Sequence, residues 1–414
     1  MSFQYNFSDL KKAILFNTAE VLPGEEKQLD EEIQALVDEA NQSGEPIRHY
    51  IGFEISGQIH FPGSVYQMLN VAKLQKAGVH CILWMADYHT WINKKLDGKI
   101  KTIRKVAEEY FEPMLRKSLE VAGGDSDKLK VLYAKDEYFR KNENDLNFWD
   151  YEFEVERNIT LSRILRSLSV AGKEAGESTD YQLTRYPGMQ AADIFWHQTH
   201  IVQGGLDQRK IYVLARDNAF TLDSDFRLKI GEREIKPIVL FNQLLLGLEA
   251  PKAPNLNSEL TQIEISKMSK SKPDSAIWVH DSYEEILRKL KKAYCPMSKI
   301  NLKDGWQNDK ELLKSSEFLD LKSEQDLNPL LDWCKKMIFP AGKVLEVQRP
   351  EKFGGNKEYF DYKTLENDYF IGNLHPLDLK TAVAKCLADW FEPIKKYVET
   401  NPQGLELVKN IKKL

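Results

Sequence analysis

Cysteine is scarce in this chain, and long apolar runs are missing. Only four of its 414 residues are cysteines (Cys81, Cys295, Cys334 and Cys386), far apart and without C-x-x-C spacing. That argues against a disulfide framework or a zinc knuckle and fits a reducing compartment. No apolar stretch approaches the ~18 residues a membrane span needs. The opening, MSFQYNFSDLKKAIL, lacks the basic-then-apolar build of a signal peptide. These absences predict a soluble, cytoplasmic protein with no membrane partner. Excess positive charge is lacking too. The formal net charge is −5, so any surface for a polyanion must be a local patch on a mildly acidic body. What remains is a globular composition, 42% hydrophobic and 29% charged, on a chain long enough for about two or three domains.

The opening third alternates element types. DLKKAILFNTAEVL and LDEEIQALVDEAN read as amphipathic helices, giving an N-terminal helical segment over residues 1–45. RHYIGFEIS reads as a strand running into a glycine-containing turn. GSVYQMLNVAKLQKAG has helical spacing and ends on Gly78, a C-cap residue. VHCILWMAD is a short apolar run suited to a buried parallel strand. Strand, helix, strand in that order predicts a right-handed βαβ unit with ligands at the carboxyl ends of the strands. From about 103 to 181 the pattern is mostly helical and charged, as for an insertion between two halves of a sheet. KIYVLARD and KPIVLFNQLLLGL then restore strand-like runs. YEEILRKLKKAY opens a helical region that continues to Leu414, so a boundary is expected near residue 283.

Two short segments carry an anionic signal. EISKMSKSKPDSAIW, residues 264–278, places Lys267, Lys270 and Lys272 among Ser266, Ser269 and Ser271, with Pro273 next. SGQIHFPGS, residues 56–64, sets His60 just ahead of a helix N-terminus, where unpaired N–H groups suit a phosphate. Taken singly, the first is a solvated basic loop and the second an ordinary turn with a surface histidine. Together they resemble the K-M-S-K-S and H-I-G-H motifs of class I aminoacyl-tRNA synthetases. That resemblance implies that the loop of residues 264–274 meets the triphosphate of ATP. In-line transfer at phosphorus needs alignment and charge stabilisation more than covalent help, and lysines supply both.

YPGMQAADIFWHQTHIVQGGLDQRKIYVLARD resembles the Y-P-x-M-Q-x-x-D and G-G-x-x-Q-R-K segments of tyrosyl-tRNA synthetases of the archaeal and eukaryotic type. With YIGFEISG before it and AYCP, RPEKFGG and LHPLDLK after it in the family's order, the resemblance runs from Tyr50 to about Phe391. It implies an α/β fold: a Rossmann-like parallel-sheet catalytic domain over 46–282 with its helical insertion, then an all-α anticodon-binding domain over 283–414. It also implies activation of L-tyrosine by ATP to tyrosyl-adenylate and transfer to tRNA(Tyr) by a homodimer. ATP is a substrate, Mg2+ arrives with it, and no protein-bound metal is expected.

The matched positions imply roles. Tyr50 and Asp193 would bond the substrate phenol, and Tyr186, Gln190 and Gln208 would hold its amino-acid end. Trp84, Ala86 and His89 would line the ring. Gly52, Glu54, Gly63, Ser64, Lys267, Met268, Ser269 and Lys270 would surround the nucleotide, with His60, Lys267, Lys270 and Ser271 acting in catalysis. Arg209 and Lys210 would meet the acceptor stem. Phe353 would stack on the first anticodon base, and Asp378, beside His375, would accept two N–H bonds from a guanine.

Blander readings exist: core packing for Tyr186, a solvated polar face for Gln190 and Asp193, a hydrophobic anchor for Phe353 and an N-cap for Asp378. His197 and His200, three residues apart without a third ligand, read as structural. The chain also departs from the family pattern. HFPGS is one residue longer than the four-residue motif and lacks its second histidine, leaving backbone N–H groups and Ser64 to meet phosphate. Trp84 and His197 are bulkier or more polar than the ring pocket's pattern, and residues 300–343 form a longer segment. Rival readings are a tryptophanyl enzyme, a catalytically silent RNA-binding relative and a small-molecule adenylyltransferase. The first lacks a use for Asp193, the second for the intact lysines, and the third for the helical C-terminal region.

Overall fold

The computed structural model describes residues 4–168, 180–249, 275–297, 302–303 and 305–412. They divide into two compact units, one of residues 1–58, 67–243 and 402–414, the other of residues 59–66 and 244–401.

The first unit is built on six strands: β1 (Thr18–Leu22), β2 (Arg48–Phe53), β3 (His80–Met85), β4 (Lys130–Tyr133), β5 (Ile201–Gly205) and β6 (Ile238–Asn242). Their order in the sheet is β1-β6-β5-β2-β3-β4. All pairings are parallel except that of β1 with β6. β3 and β6 are almost wholly buried, as strands covered on both faces must be. β2 lies between β3 and β5, so the chain winds outward both ways from β2. Its carboxyl end is the switch point where open α/β sheets hold ligands.

A buried polar chain stitches the unit together on one face. His49 on β2 meets Gln203 Oε1 at 3.1 Å, Gln203 donates to Asn242 Oδ1 at 2.8 Å, and Asn242 donates to Asn70 Oδ1 at 2.9 Å. Asn70 belongs to the helix Val65–Lys76 that joins β2 to β3, so the crossover is pinned to three strands. Burial holds the His49 imidazolium down at about 3, so the chain carries no charge there.

Two segments differ from the pattern reading. FNTAEVL is not helical: α1 (Phe7–Leu15) stops before Asn17, whose φ of +53° makes a turn, and Thr18–Leu22 becomes the antiparallel edge strand. KIYVLARD is not a strand. It lies in the helix Arg209–Asn218, because Ile211, Leu214 and Ala215 are spaced to bury one helical face. The strand is one segment earlier, at IVQGG. Spacing overrides the β-propensity of Ile, Tyr and Val here.

The second unit centres on two helices, Tyr283–Lys292, capped by Ser282, and Pro376–Thr400, capped by His375 with proline in its first turn. It also holds an antiparallel strand pair, β7 (Leu345–Val347) with β8 (Lys357–Tyr359), which the helical pattern of this region did not announce. Phe61 packs edge-on against Trp333 at 4.9 Å and tilted on Phe391 at 6.0 Å, so aromatic packing anchors residues 59–66 in this unit.

Candidate active site

The helix Tyr186–Trp196 is buried along its entire length, which is unusual for a sequence holding Gln190 and Asp193. Helical spacing places Tyr186, Gln190, Asp193 and the C-cap residue His197 on one stripe. That stripe meets β2, β3 and the residues that follow them. Tyr50 donates its hydroxyl to Asp193 Oδ2 at 3.4 Å, and Tyr138 donates to Oδ1 at 2.9 Å. His89 Nε2 stands 3.8 Å from Oδ2. Burial drives the Asp193 carboxyl well above the usual carboxylate range, and donation from Tyr138 and Tyr50, with the nearby Trp84 indole, works against it. Trp84 turns its indole N–H toward this carboxyl without reaching hydrogen-bond geometry.

Several polar atoms around Asp193 are buried and unpaired among the described residues: both ring nitrogens of His89, the indole nitrogen of Trp84 and Oε1 of Gln190. Buried polar atoms are nearly always paired in folded proteins, so a cluster of orphans marks where a ligand's polar groups belong. Burial pushes the His89 imidazolium down to about 3, so this ring is neutral at physiological pH. Gln190 donates to Gln208 Oε1 at 2.9 Å and to the Tyr212 hydroxyl at 3.3 Å. Burial, with the Glu54 carboxylate nearby, pushes the Tyr186 hydroxyl well up, and the Tyr186 ring sits edge-on to His89 at 4.8 Å. Ala86, small and buried, follows β3 directly. Aromatic surface thus surrounds one carboxyl, with amides at the other end of the stripe. Such a cluster joins ring surface, an acceptor for a hydroxyl and amides suited to a polar backbone.

Gly52 is required by this geometry. A Cβ there would sit 2.8 Å from the Tyr50 hydroxyl and 3.4 Å from Trp84 Cδ1, displacing Tyr50 from Asp193. Glu54 accepts from Asn93 at 2.7 Å and lies 3.9 Å from Lys95.

The His60 turn lies in the second unit. Phe61–Gly63 is a 3-10 turn capped by His60, whose Nδ1 accepts from Gly63 N–H at 3.2 Å. The neutral imidazole therefore carries its proton on Nε2. Ser64 is buried and donates to His60 O at 3.0 Å, so its hydroxyl is engaged inside the turn. Trp278 bridges to His60 as a paired strand residue, and its ring stacks on the imidazole at 6.4 Å and 19°. Behind it, buried Lys289 donates to Asp281 at 2.6 Å and to Ala276 O at 3.0 Å. Lys267, Met268, Ser269, Lys270 and Ser271, with the whole loop of 264–274, lie outside the described residues.

Arg209 forks onto the Glu20 carboxylate at 2.7 and 2.8 Å, and Lys210 donates to Arg166 O at 3.0 Å. Phe353 is 61% exposed on a turn that Gly354 and Gly355 close with φ of +99° and +69°. Arg349 donates to Gly355 O at 2.9 Å and lies 3.9 Å from Asp378 Oδ2, tying the Phe353 turn to the start of Pro376–Thr400. The N-cap is His375, which accepts from Leu377 N–H at 3.1 Å; Asp378 occupies the third helical position instead.

Three contacts escaped the motif reading. Tyr138 falls in DEYF, which has no periodicity to mark it. Tyr212 stands four residues after Gln208 on the helical run misread as a strand, so correct period assignment finds it. Arg349 opens the RPEKFGG motif, but the motif reading gave a role there to Phe353 alone.

The family model described as tRNA synthetases class I (W and Y) matches residues 42–392. The curated tyrosine–tRNA ligase of Thermococcus kodakarensis is 39% identical over 394 residues, covering 94% of this chain and 96% of that protein. The tyrosine–tRNA ligase of Pyrococcus furiosus is 40% identical over 372 residues, covering 89% and 91%. The crystal structure of tyrosyl-tRNA synthetase from Pyrococcus horikoshii, complexed with L-tyrosine, superposes with a TM-score of 0.82 at 36% identity. It covers 98% of this chain and 100% of that one.

Proposed function

The chain belongs to the class I tRNA synthetases of the tryptophan and tyrosine branch, and from that premise we propose that it is the tyrosine enzyme. It activates L-tyrosine with ATP and passes the tyrosyl group to tRNA(Tyr). The observation that carries this reading is Asp193: a fully buried carboxyl among aromatic side chains, faced by the Tyr50 and Tyr138 hydroxyls and ringed by orphaned polar atoms. Relatives named as tyrosine–tRNA ligases, matched over nearly their whole length, support the same choice.

In the first step a tyrosine carboxylate oxygen bonds the α-phosphorus of ATP, and the α–β bridging bond breaks to release pyrophosphate. In the second, a terminal ribose hydroxyl of the tRNA attacks the tyrosyl carbonyl and AMP leaves. Tyr50 and Asp193 bind the phenol, Gln190, Gln208 and Tyr186 hold the amino-acid end, and Trp84, Ala86 and His89 wall the ring. His60, Gly52, Glu54, Gly63, the backbone at Ser64 and Lys267–Ser271 are assigned to ATP by motif. Mg2+ enters as the complex of ATP. Phe353, His375 and Asp378 take the anticodon, and Arg209 and Lys210 the acceptor stem, once Glu20 releases Arg209. The catalytic part spans 46–282 and the anticodon-binding part 283–414.

Two further readings belong to the proposal. Phe153, Leu161 and Leu165 are exposed apolar residues of the insertion, at 62%, 65% and 46%, and support a homodimer through the insertion. Among the described residues no helix is long and apolar enough to cross a membrane, which is compatible with action in the cytoplasm. The test is charging of a tRNA(Tyr) transcript. Attachment of tyrosine and not tryptophan is expected; attachment of tryptophan, or no charging, contradicts the proposal.

A further inference from the structure

Asp193 has a better donor than the one its motif supplies. The hydrogen bond from Tyr138 to Oδ1, at 2.9 Å, is half an ångström shorter than that from Tyr50 to Oδ2, at 3.4 Å. Tyr138 is also held rigidly. Its ring stacks on Phe148 at 3.5 Å and 10°, and Trp149, Tyr88 and Trp84 close around it at 5.4, 5.5 and 5.6 Å. The side chain is fully buried, so its hydroxyl has no water to turn to.

The two carboxyl oxygens are therefore unequal. Oδ1 is committed to a short bond from a fixed donor. Oδ2 faces the Tyr50 hydroxyl at 3.4 Å and His89 Nε2 at 3.8 Å, both beyond the usual hydrogen-bond distances of ~2.5–3.2 Å. The slack around Asp193 lies on one oxygen, and a carboxylate has about four acceptor directions to fill.

The geometry points to Tyr138 as a specificity-determining positioning residue: by holding Oδ1 it orients Asp193 so that Oδ2 receives the phenolic hydroxyl of the substrate. This deepens the proposed tyrosine activation and rests on it. Tyr138 does not touch the substrate in this scheme; it acts through Asp193.

A second consequence concerns charge. The groups facing Asp193 are Tyr50, Tyr138, Tyr186, Tyr212, His89 and, from the helix Phe148–Glu156, Glu152. Burial and Glu152 favour the protonated acid, whereas the Tyr138 hydroxyl favours the carboxylate. Removing that hydroxyl raises the Asp193 pKa. A protonated Asp193 no longer demands a donor from the ring it binds, so the advantage of tyrosine over phenylalanine shrinks.

The experiment is Tyr138→Phe, which keeps the stacked ring, measured by pyrophosphate exchange with tyrosine and with phenylalanine across pH. The tyrosine-to-phenylalanine ratio of kcat/KM is expected to fall roughly tenfold or more, the scale of one hydrogen bond to a charged group. The acid limb of the tyrosine profile should move to higher pH. In an Asp193→Asn background the same change should leave the ratio within about twofold, because the coupling runs through that carboxyl. A lower Tm with ratio and acid limb unaltered would mean a packing role only and overturns the inference. If Tyr138→Phe does not fold, Tyr138→Leu, which fills the site without any hydrogen-bond donor, is measured in the same way; retained discrimination there also overturns it. Wild-type protein that shows no tyrosine-dependent exchange overturns the proposed function itself.

Discussion

Asp193 concentrates the physical argument in one side chain. A carboxyl removed from water is costly unless its oxygens are bonded, and here one oxygen is well bonded and the other poorly. Asp193→Ala removes the acceptor and strands two buried tyrosine hydroxyls. We expect kcat/KM for tyrosine to fall by roughly two orders of magnitude and the preference over phenylalanine to narrow, as loss of a buried hydroxyl reader requires. Side-by-side exchange kinetics check this; an unchanged ratio sinks the assignment of Asp193. At this scale the sequence was informative wherever spacing was fixed by a helix. Tyr186, Gln190 and Asp193 were legible as one stripe, and the structure brings them against Tyr50, His89 and Gln208. Tyr138 was not legible, because its contact with Asp193 spans 55 residues and depends on how an insertion folds back on the sheet. No local pattern encodes such a distance.

Among the elements, the helix Phe148–Glu156 supports the one that bears Asp193. It starts cleanly, with Asn147 and Asp150 forming a reciprocal capping box. It buries Glu152 against Arg185, and burial pushes that carboxyl up from 4.5 to about 7 despite the ion pair. A raised acid pKa means the folded state holds a proton that the unfolded chain has released. Stability from this group is therefore full below about 4.5 and is lost as pH rises toward about 7. Glu152→Gln should flatten the fall of Tm between pH 5 and pH 8 relative to wild type, and parallel melting curves would refute it. The helix Pro376–Thr400 gives a second prediction. Since His375 holds the cap, Asp378→Ala loses a first-turn charge, about 0.3–1 kcal/mol of dipole interaction, together with its long 3.9 Å ion pair to Arg349, and Tm should shift little. If Asp378 reads a guanine edge, charging should fall through KM for tRNA and the preference at the first anticodon base should relax. Pyrophosphate exchange should stay intact. Equal damage to exchange and charging would contradict that role. Elements were legible where one period dominated. KIYVLARD shows the failure mode: a run rich in Ile, Tyr, Val and Leu satisfies strand propensity, and only its buried spacing reveals the helix.

The whole molecule is mildly acidic, yet it is assigned a polyanionic partner, so its basic contacts must be local. Its parallel sheet and crossover were legible from alternating apolar runs. The edge strand Thr18–Leu22 was not, because a five-residue strand behind a helix carries too few alternations to stand out. Assembly is the remaining claim at this scale. Phe153→Glu puts a charge among the exposed apolar residues of the insertion, and sedimentation should show dimer for wild type and monomer for the variant. Wild-type protein that sediments as a monomer at micromolar concentration contradicts the dimer. The central claim, a tyrosine-activating enzyme, is tested most directly by ATP–pyrophosphate exchange with each standard amino acid in turn. The account predicts strong exchange with tyrosine alone and background rates with phenylalanine and tryptophan. Exchange driven best by any other amino acid, or by none, would contradict it.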